Sequence, residues 1–190
     1  MTTKEYQTRV FKILQSIFGV DLVRQEWDSL QYDGHGSYNK QITYSPRLDL
    51  AVGPFNGLTD LDLGVDQTKS MKKHPLTKRL FKDAISRWST LDEAWKPTSR
   101  CYLAIEIEHS GSSKHIMGDI INVCASGSLG ILVVNNKNYE KANRIYKYLN
   151  RLIDFERFDM NGLKNLIIFK DSEFIKVIAE IKQKEYGRKN

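Results

Sequence analysis

Three consecutive segments in the middle of the chain constrain the fold more than any other feature of the sequence. Alternation over residues 101–108 predicts a β-strand whose two glutamates, Glu106 and Glu108, share one face. Residues 114–126 have the apolar spacing of a helix, with serines before them as caps and a glycine after them. Residues 129–134 are an almost unbroken apolar run, as expected of a strand buried on both faces. Together these segments predict a βαβ unit.

The segments on either side of this unit fit an α/β fold with a mixed sheet. The pattern predicts helices over residues 4–18, 77–88, 139–153 and 172–186, and further strands over 22–27, 41–52 and 166–169. A glycine-containing turn near residue 34 favours antiparallel pairing of the first two strands, and residues 56–75 are expected to form a long loop. Because no repeat or linker divides the chain, we expect one domain over residues 1–190.

Composition excludes several classes of protein. No segment approaches the ~18 apolar residues that a membrane span needs, and residues 1–7 lack the layout of a signal peptide. We therefore expect a soluble cytoplasmic protein without a membrane partner. The two cysteines, Cys101 and Cys124, fall inside predicted elements and are expected to be reduced core thiols. Lys and Arg number 29 against 23 Asp and Glu, and the resulting charge of +6 at pH 7 favours a polyanionic partner.

Three acidic side chains on two predicted strands are candidate metal ligands. Glu106 and Glu108 lie roughly 6.5–7 Å apart along their strand by strand rise. Asp49 is flanked by two leucines and is the only acid of an otherwise hydrophobic strand. If the two strands are neighbours, the three carboxylates converge into an all-oxygen site that suits Mg²⁺ or Mn²⁺. The alternative for Asp49 is an ion pair with Arg47, two residues away on the same strand face.

The order of these acids and elements resembles the core of the PD-(D/E)xK nuclease superfamily, to which many restriction endonucleases belong. The likeness is carried by Pro46 and Asp49, then Glu106-Ile-Glu108, then the helix and buried strand that follow. It implies a restriction endonuclease-like core, in which a central mixed β-sheet is flanked by helices. It also implies a metal-dependent DNA endonuclease that hydrolyses phosphodiester bonds with Mg²⁺, or Mn²⁺, as cofactor. By position, Asp49 matches the first motif acid and Glu106 the second.

Position 108 departs from the pattern of the superfamily, because Glu108 stands where a lysine is usual. Some restriction endonucleases of the superfamily have glutamate there and remain active. The resemblance then implies that Glu108 orients or deprotonates the attacking water. Lys114, in the first turn of the next helix, would supply the positive charge of the missing lysine. Glu5, on the first helix, matches by position an acid with which some members support the metal site.

Two basic segments are candidate contacts to a phosphate backbone. The first lies between the two acid-bearing strands and comprises Lys69, Lys72, Lys73, His74, Lys78, Arg79 and Lys82. The second, at the end of the chain, comprises Lys182, Lys184, Arg188 and Lys189. Since one site per chain can cut both strands of a duplex only through two-fold symmetry, we expect a homodimer acting on double-stranded DNA. Two alternatives stay open: a non-catalytic nucleic-acid-binding protein on the same fold, and a structure-specific DNA repair nuclease.

Polar residues around the glutamates have less specific interpretations. A zinc site that combines His109 or His115 with a cysteine is disfavoured, because Cys101 is predicted to face away from the glutamates. Tyr102, by the same alternation, is predicted to share their face. Asp119 and Asn122 lie on the helix face of His115 and are expected to be solvated.

Overall fold

The structure is a computed structural model that describes residues 1–28, 47–55, 71, 73–85, 100–154 and 161–186. Within these residues the helices are α1 (Thr3–Phe18), α2 (Pro75–Ile85), α3 (Ser113–Ser126), α4 (Tyr139–Asp154) and α5 (Asp171–Tyr186). The strands are β1 (Val23–Asp28), β2 (Arg47–Val52), β3 (Cys101–Glu108), β4 (Gly127–Val134) and β5 (Leu166–Lys170). Short 3-10 helices, Val20–Leu22 and Asn161–Asn165, precede β1 and β5.

The five strands form one mixed sheet in the order β1-β2-β3-β4-β5. β1 pairs antiparallel with β2, and β2 antiparallel with β3. β3, β4 and β5 run parallel, because α3 and α4 each return the chain to the starting edge before the next strand. The predicted α/β class with a mixed sheet is confirmed, and the arrangement is compatible with a restriction endonuclease-like core.

Helices cover both faces of the sheet. On one face α1, α2 and α5 bury an apolar cluster that includes Leu14, Leu80 and Phe174. On the other face α3 and α4 bury a second cluster that includes Ile120 and Leu149. Each fully buried side chain of this size contributes roughly 1.5–3 kcal/mol by leaving water, so the two clusters fix the strands between them.

The start of β3 differs from the predicted alternation. From Leu103 onward the apolar side chains face α1 and α2, as expected, but Tyr102 packs on that same side and not with the glutamates. Its ring meets Phe18 edge-on, and its hydroxyl has a hydrogen-bond partner in Thr77 of α2. Cys101 correspondingly joins the cluster under α3. The phenol needs a polar partner when it is buried, and α2 supplies one.

Several expectations concern segments outside the described residues. These are the turn near residue 34, residues 41–46 of the second predicted strand, and most of the 56–75 loop. Cys101 and Cys124 are both buried and form no disulfide, as predicted. None of the helices in the described part of the chain combines the length and the apolar character needed to cross a membrane.

Candidate active site

Strands β2 and β3 separate at the point where each carries an acidic residue. The last paired residues of their ladder are Leu50 and Ile105, and beyond them carboxylates replace the backbone hydrogen bonds. The N–H of Ile107 donates to Asp49 Oδ2 at 2.8 Å, and the N–H of Asp49 donates to Glu106 Oε2 at 3.2 Å. The structure therefore brings Asp49 and Glu106 together, with each side chain bonded to the other's strand.

Strand β1 is irregular at the same level of the sheet. Glu26 has a φ of 51°, an uncommon left-handed conformation for a residue with a side chain, while the residues on both sides of it pair with β2. Gln7 of α1 donates from Nε2 to Glu26 Oε1 and to the backbone oxygen of Asp49, both at 3.1 Å. Arg47 Nε lies 3.1 Å from Glu26 Oε2. Arg47 therefore pairs with Glu26, which corrects the alternative of an Arg47–Asp49 ion pair.

Helix α3 adds two polar residues to the site, Asp119 and Asn122. The side chain of Asn122 lowers the pKa of Glu106, and the charge of Asp119 raises the pKa of the same carboxyl. Both residues are partly buried, so the prediction of a solvated face is wrong. Both residues lie at the side of the buried apolar stripe of α3. Helical spacing alone does not tell which side of such a stripe packs against the sheet and which side faces water.

The pKa values of the central carboxyls are raised. Burial, then the charges of Asp49 and Asp119, raises the pKa of Glu106 to about 9. Burial, then the charges of Glu108 and Asp49, raises the pKa of Asp119 to about 7. The pKa of Asp49 is raised by burial first and by Glu26 and Glu108 after it, against a lowering effect of the Ile107 N–H. Like charges in a shared, poorly solvated site favour either a bound proton or a cation.

Glu108 is held differently from the other two predicted acids. Its carboxylate accepts hydrogen bonds from the N–H groups of Ser110 and, at 3.1 Å, Gly111. His115 Nδ1 lies 3.6 Å from Glu108 Oε2 and 3.4 Å from the hydroxyl of Ser110. Glu108 thus fixes the loop between β3 and α3, while its charge still acts on Asp49 and Asp119.

Lys114 and Glu5 lie at the ends of helices. Lys114 is exposed in the first turn of α3, next to His115. Glu5 is exposed and closes a capping box with Thr2, whose N–H donates to Glu5 Oε2 at 2.7 Å. The structure does not bring Glu5 to the acids, and Gln7 occupies that place from the buried side of α1. The sequence contained one signal for Gln7: it is a polar residue on the apolar stripe of the helix, three residues before Val10.

The predicted phosphate contacts are only partly described. Lys73, Lys78, Arg79 and Lys82 are exposed on or just before α2, whereas Lys69 and Lys72 lie outside the described residues. His74 stacks on Phe18 and accepts a hydrogen bond from the N–H of Leu76, so its ring is engaged within the fold. Lys182 is partly buried and Lys184 exposed on α5, and Arg188 and Lys189 lie outside the described residues.

In the part of the chain that the structure describes, no three His, Cys, Asp or Glu side chains are arranged to hold a metal ion as they stand. The donors around Asp49 and Glu106 are nevertheless carboxylate and amide oxygens, a set that fits a hard divalent cation. His109 does not join them, because its ring packs against that of Tyr6 at a tilt of 57° and its Nε2 lies 3.8 Å from Asp171 at the start of α5.

No protein-family model, no curated protein and no solved structure matches this chain.

Proposed function

We propose that this protein is a Mg²⁺-dependent DNA endonuclease of the restriction-enzyme type, in which Mn²⁺ can replace Mg²⁺. The observation that supports the proposal most strongly is the exchange of hydrogen bonds between Asp49 and Glu106 at the divergence of β2 and β3. A partly buried and a buried carboxyl, both of raised pKa, where two strands diverge have little structural use without a cation or proton between them.

Asp49 and Glu106 are the residues that would hold the ion, and the charge of Asp119, which acts on the carboxyl of Glu106, would add to the attraction. A bound divalent ion supplies a Lewis acid that lowers the pKa of a water molecule and offsets the negative charge that develops on a phosphate. Gln7 keeps Asp49 and Glu26 in place by donating to both. The side chain of Asn122 favours the ionised form of Glu106 by lowering its pKa.

Glu108 and Lys114 have the remaining roles. Glu108 accepts from two backbone N–H groups, which fix its carboxylate beside the acids on which its charge acts, and its role is to orient the attacking water. Lys114 is exposed in the first turn of α3, next to His115, and offsets the charge of a bound phosphate. The exposed cations on or just before α2, Lys73, Lys78, Arg79 and Lys82, contact the backbone of the duplex. Two copies of the chain are expected to act together on the two strands.

Cleavage of supercoiled plasmid by the purified chain tests the proposal. We expect cutting in Mg²⁺ or Mn²⁺ but not in EDTA, and a loss of at least roughly 100-fold in rate for Glu106→Gln and for Asp49→Asn. Glu180→Gln, which removes an exposed acid of α5, is the matched control and should cut like the parent. DNA binding in EDTA should persist in both site variants. The carboxylates repel phosphate when no cation is bound, so each variant removes a repulsion and no attractive contact.

One specific observation favours a second candidate, a non-catalytic nucleic-acid-binding protein on the same fold. Glu108 stands at the position of the motif lysine, and its carboxylate is engaged by the loop that follows. A parent protein that binds DNA but leaves plasmid intact in both Mg²⁺ and Mn²⁺ would support this candidate over the nuclease.

A further inference from the structure

The outward face of α4 carries a stripe of positive charge. At about 100° of rotation per residue, one face of the helix collects two acids, Glu140 and Asp154, and five other side chains. We call these five the α4 stripe: Lys141, Arg144, Lys147, Tyr148 and Arg151. The opposite face, which includes Ala142 and Leu149, is buried against the sheet.

The central residues of the stripe are open to solvent. Arg144, Lys147 and Arg151 are exposed, and Tyr148 is 53% exposed. Among the described residues, the large exposed hydrophobic side chains are Met1, Val20 and Tyr148. Of these three, Tyr148 is aromatic. An exposed ring between cations is a typical platform for a nucleic-acid base, since every base has a face that can stack.

The charges of the stripe are not compensated within the described part of the chain. There, no carboxylate forms an ion pair with Arg144, Lys147 or Arg151. Cations three and four residues apart on a helix repel one another, and the two acids, one at each end of the helix, do not balance the four cations of the stripe. A polyanion that lies along the helix removes this repulsion.

The stripe begins next to the candidate active site. Lys141 Nζ donates to the backbone oxygen of Gly111 at 2.7 Å, and the N–H of Gly111 donates to Glu108. From Arg144 to Arg151 the helix rises about 10 Å. One nucleic-acid strand advances about 3.4 Å per nucleotide, so this length matches about three nucleotides.

We infer that the α4 stripe binds a single nucleic-acid strand, with phosphates on Arg144, Lys147 and Arg151 and one unpaired base stacked on Tyr148. The inference rests on the proposed function for the identity of the polymer, and it extends that function to a strand-binding surface beside the loop of Glu108. Binding at the stripe needs neither a metal ion nor catalysis, so it can be measured separately.

The test measures the affinity of the full chain for labelled oligo(dT) of about 20 nucleotides and for a blunt duplex of equal length, in EDTA, between about 50 and 200 mM salt. The first variant is Arg144→Ala/Lys147→Ala/Arg151→Ala, and the second is Tyr148→Ala. The matched control, Lys4→Ala/Arg9→Ala/Lys12→Ala, removes the same charge from exposed positions of α1 on the other layer.

For the triple α4 variant, the slope of log affinity against log salt for oligo(dT) should be smaller by about 2, since each lost phosphate contact on a single strand contributes about 0.7. The α1 control should keep the parental slope. Tyr148→Ala should weaken oligo(dT) binding roughly 5- to 100-fold, with the slope and the duplex affinity unchanged. Equal far-ultraviolet circular dichroism and melting temperature show that each variant is folded.

Parental slope and affinity in the triple α4 variant would overturn the inference, and so would a parent that does not bind oligo(dT). A triple α4 variant that binds like the parent, while the parent cuts plasmid, overturns this inference and leaves the nuclease proposal standing. Oligo(dT) binding that depends on the stripe, in a parent that never cuts plasmid, overturns the nuclease proposal alone.

Discussion

Glu106 couples the stability of the fold to pH. Its pKa is raised to about 9, by burial first and then by the charges of Asp49 and Asp119, from an ordinary value of 4.5. Between these two values the folded chain holds a proton that the unfolded chain releases. The contribution of this carboxyl to stability is therefore complete below pH 4.5 and is lost as the pH rises toward about 9.

We expect the free energy of unfolding in EDTA to fall as the pH rises through this interval, by at most about 1.4 kcal/mol per pH unit from Glu106. Urea denaturation at several pH values measures it. Glu106→Gln should flatten the dependence without abolishing it, because Asp119, with a pKa of about 7, contributes in the lower part of the interval. An identical pH dependence in the parent and in Glu106→Gln would contradict the assignment of the proton to this carboxyl.

Residues differ in how far the sequence reveals their part in the site. Asp49 and Glu106 were predictable, because an acid on a hydrophobic strand and a glutamate in an alternating strand are local signals. Glu26 and Asp119 were not, since their importance depends on how β1 and α3 lie against β2 and β3. Gln7 stands out in the sequence as a polar residue on the apolar stripe of α1, but its partners were not predictable. The superfamily resemblance drew attention to Glu5, which instead caps its own helix.

Two glycines near the site illustrate what α3 and the loop before it require. At Gly118, in the middle of α3, an added Cβ would meet no atom within 4 Å. At Gly111, φ is 79° and an added Cβ would collide with the side chain of Asn138. Replacement by alanine should therefore raise the stability of the protein at Gly118 and lower it at Gly111.

We expect Gly118→Ala to stabilise the protein by about 0.5–1 kcal/mol, because alanine loses less backbone entropy in a helix. Gly111→Ala should destabilise it by at least about 1 kcal/mol through strain and displacement of Asn138. Urea denaturation of both variants in parallel checks the pair. A loss of stability in Gly118→Ala, or none in Gly111→Ala, would contradict the described packing of this element.

At the level of helices and strands, periodicity located most elements within a few residues. α3 and β4 follow their predicted ranges closely, because a capped amphipathic helix and a doubly buried strand have strong local signatures. At the start of β3 the alternation predicted the wrong face for Tyr102. The hydroxyl of Tyr102 has its hydrogen-bond partner on a helix that is distant in sequence, and this contact directs the side chain. A local alternation rule contains no information about such a partner.

The whole molecule arranges charge around the sheet edge that carries the acids. Asp49 and Glu106 lie where β2 and β3 diverge, and exposed cations lie on α2 on one layer and on α4 on the other. The chain has a net charge of +6, which favours attraction of a polyanion to the molecule as a whole, while the acids at its centre repel phosphate; the proposed cation would remove that repulsion. Composition revealed the net charge, but only the topology showed on which elements the charges lie.

Binding of Mn²⁺ to the purified chain, followed by electron paramagnetic resonance near neutral pH, tests the central claim that Asp49 and Glu106 form a cation site. We predict saturable binding to the parent, a loss of at least roughly tenfold in affinity for Glu106→Gln, and parental binding for the control Glu180→Gln. Absence of saturable binding to the parent, or equal affinity in Glu106→Gln, would contradict the claim.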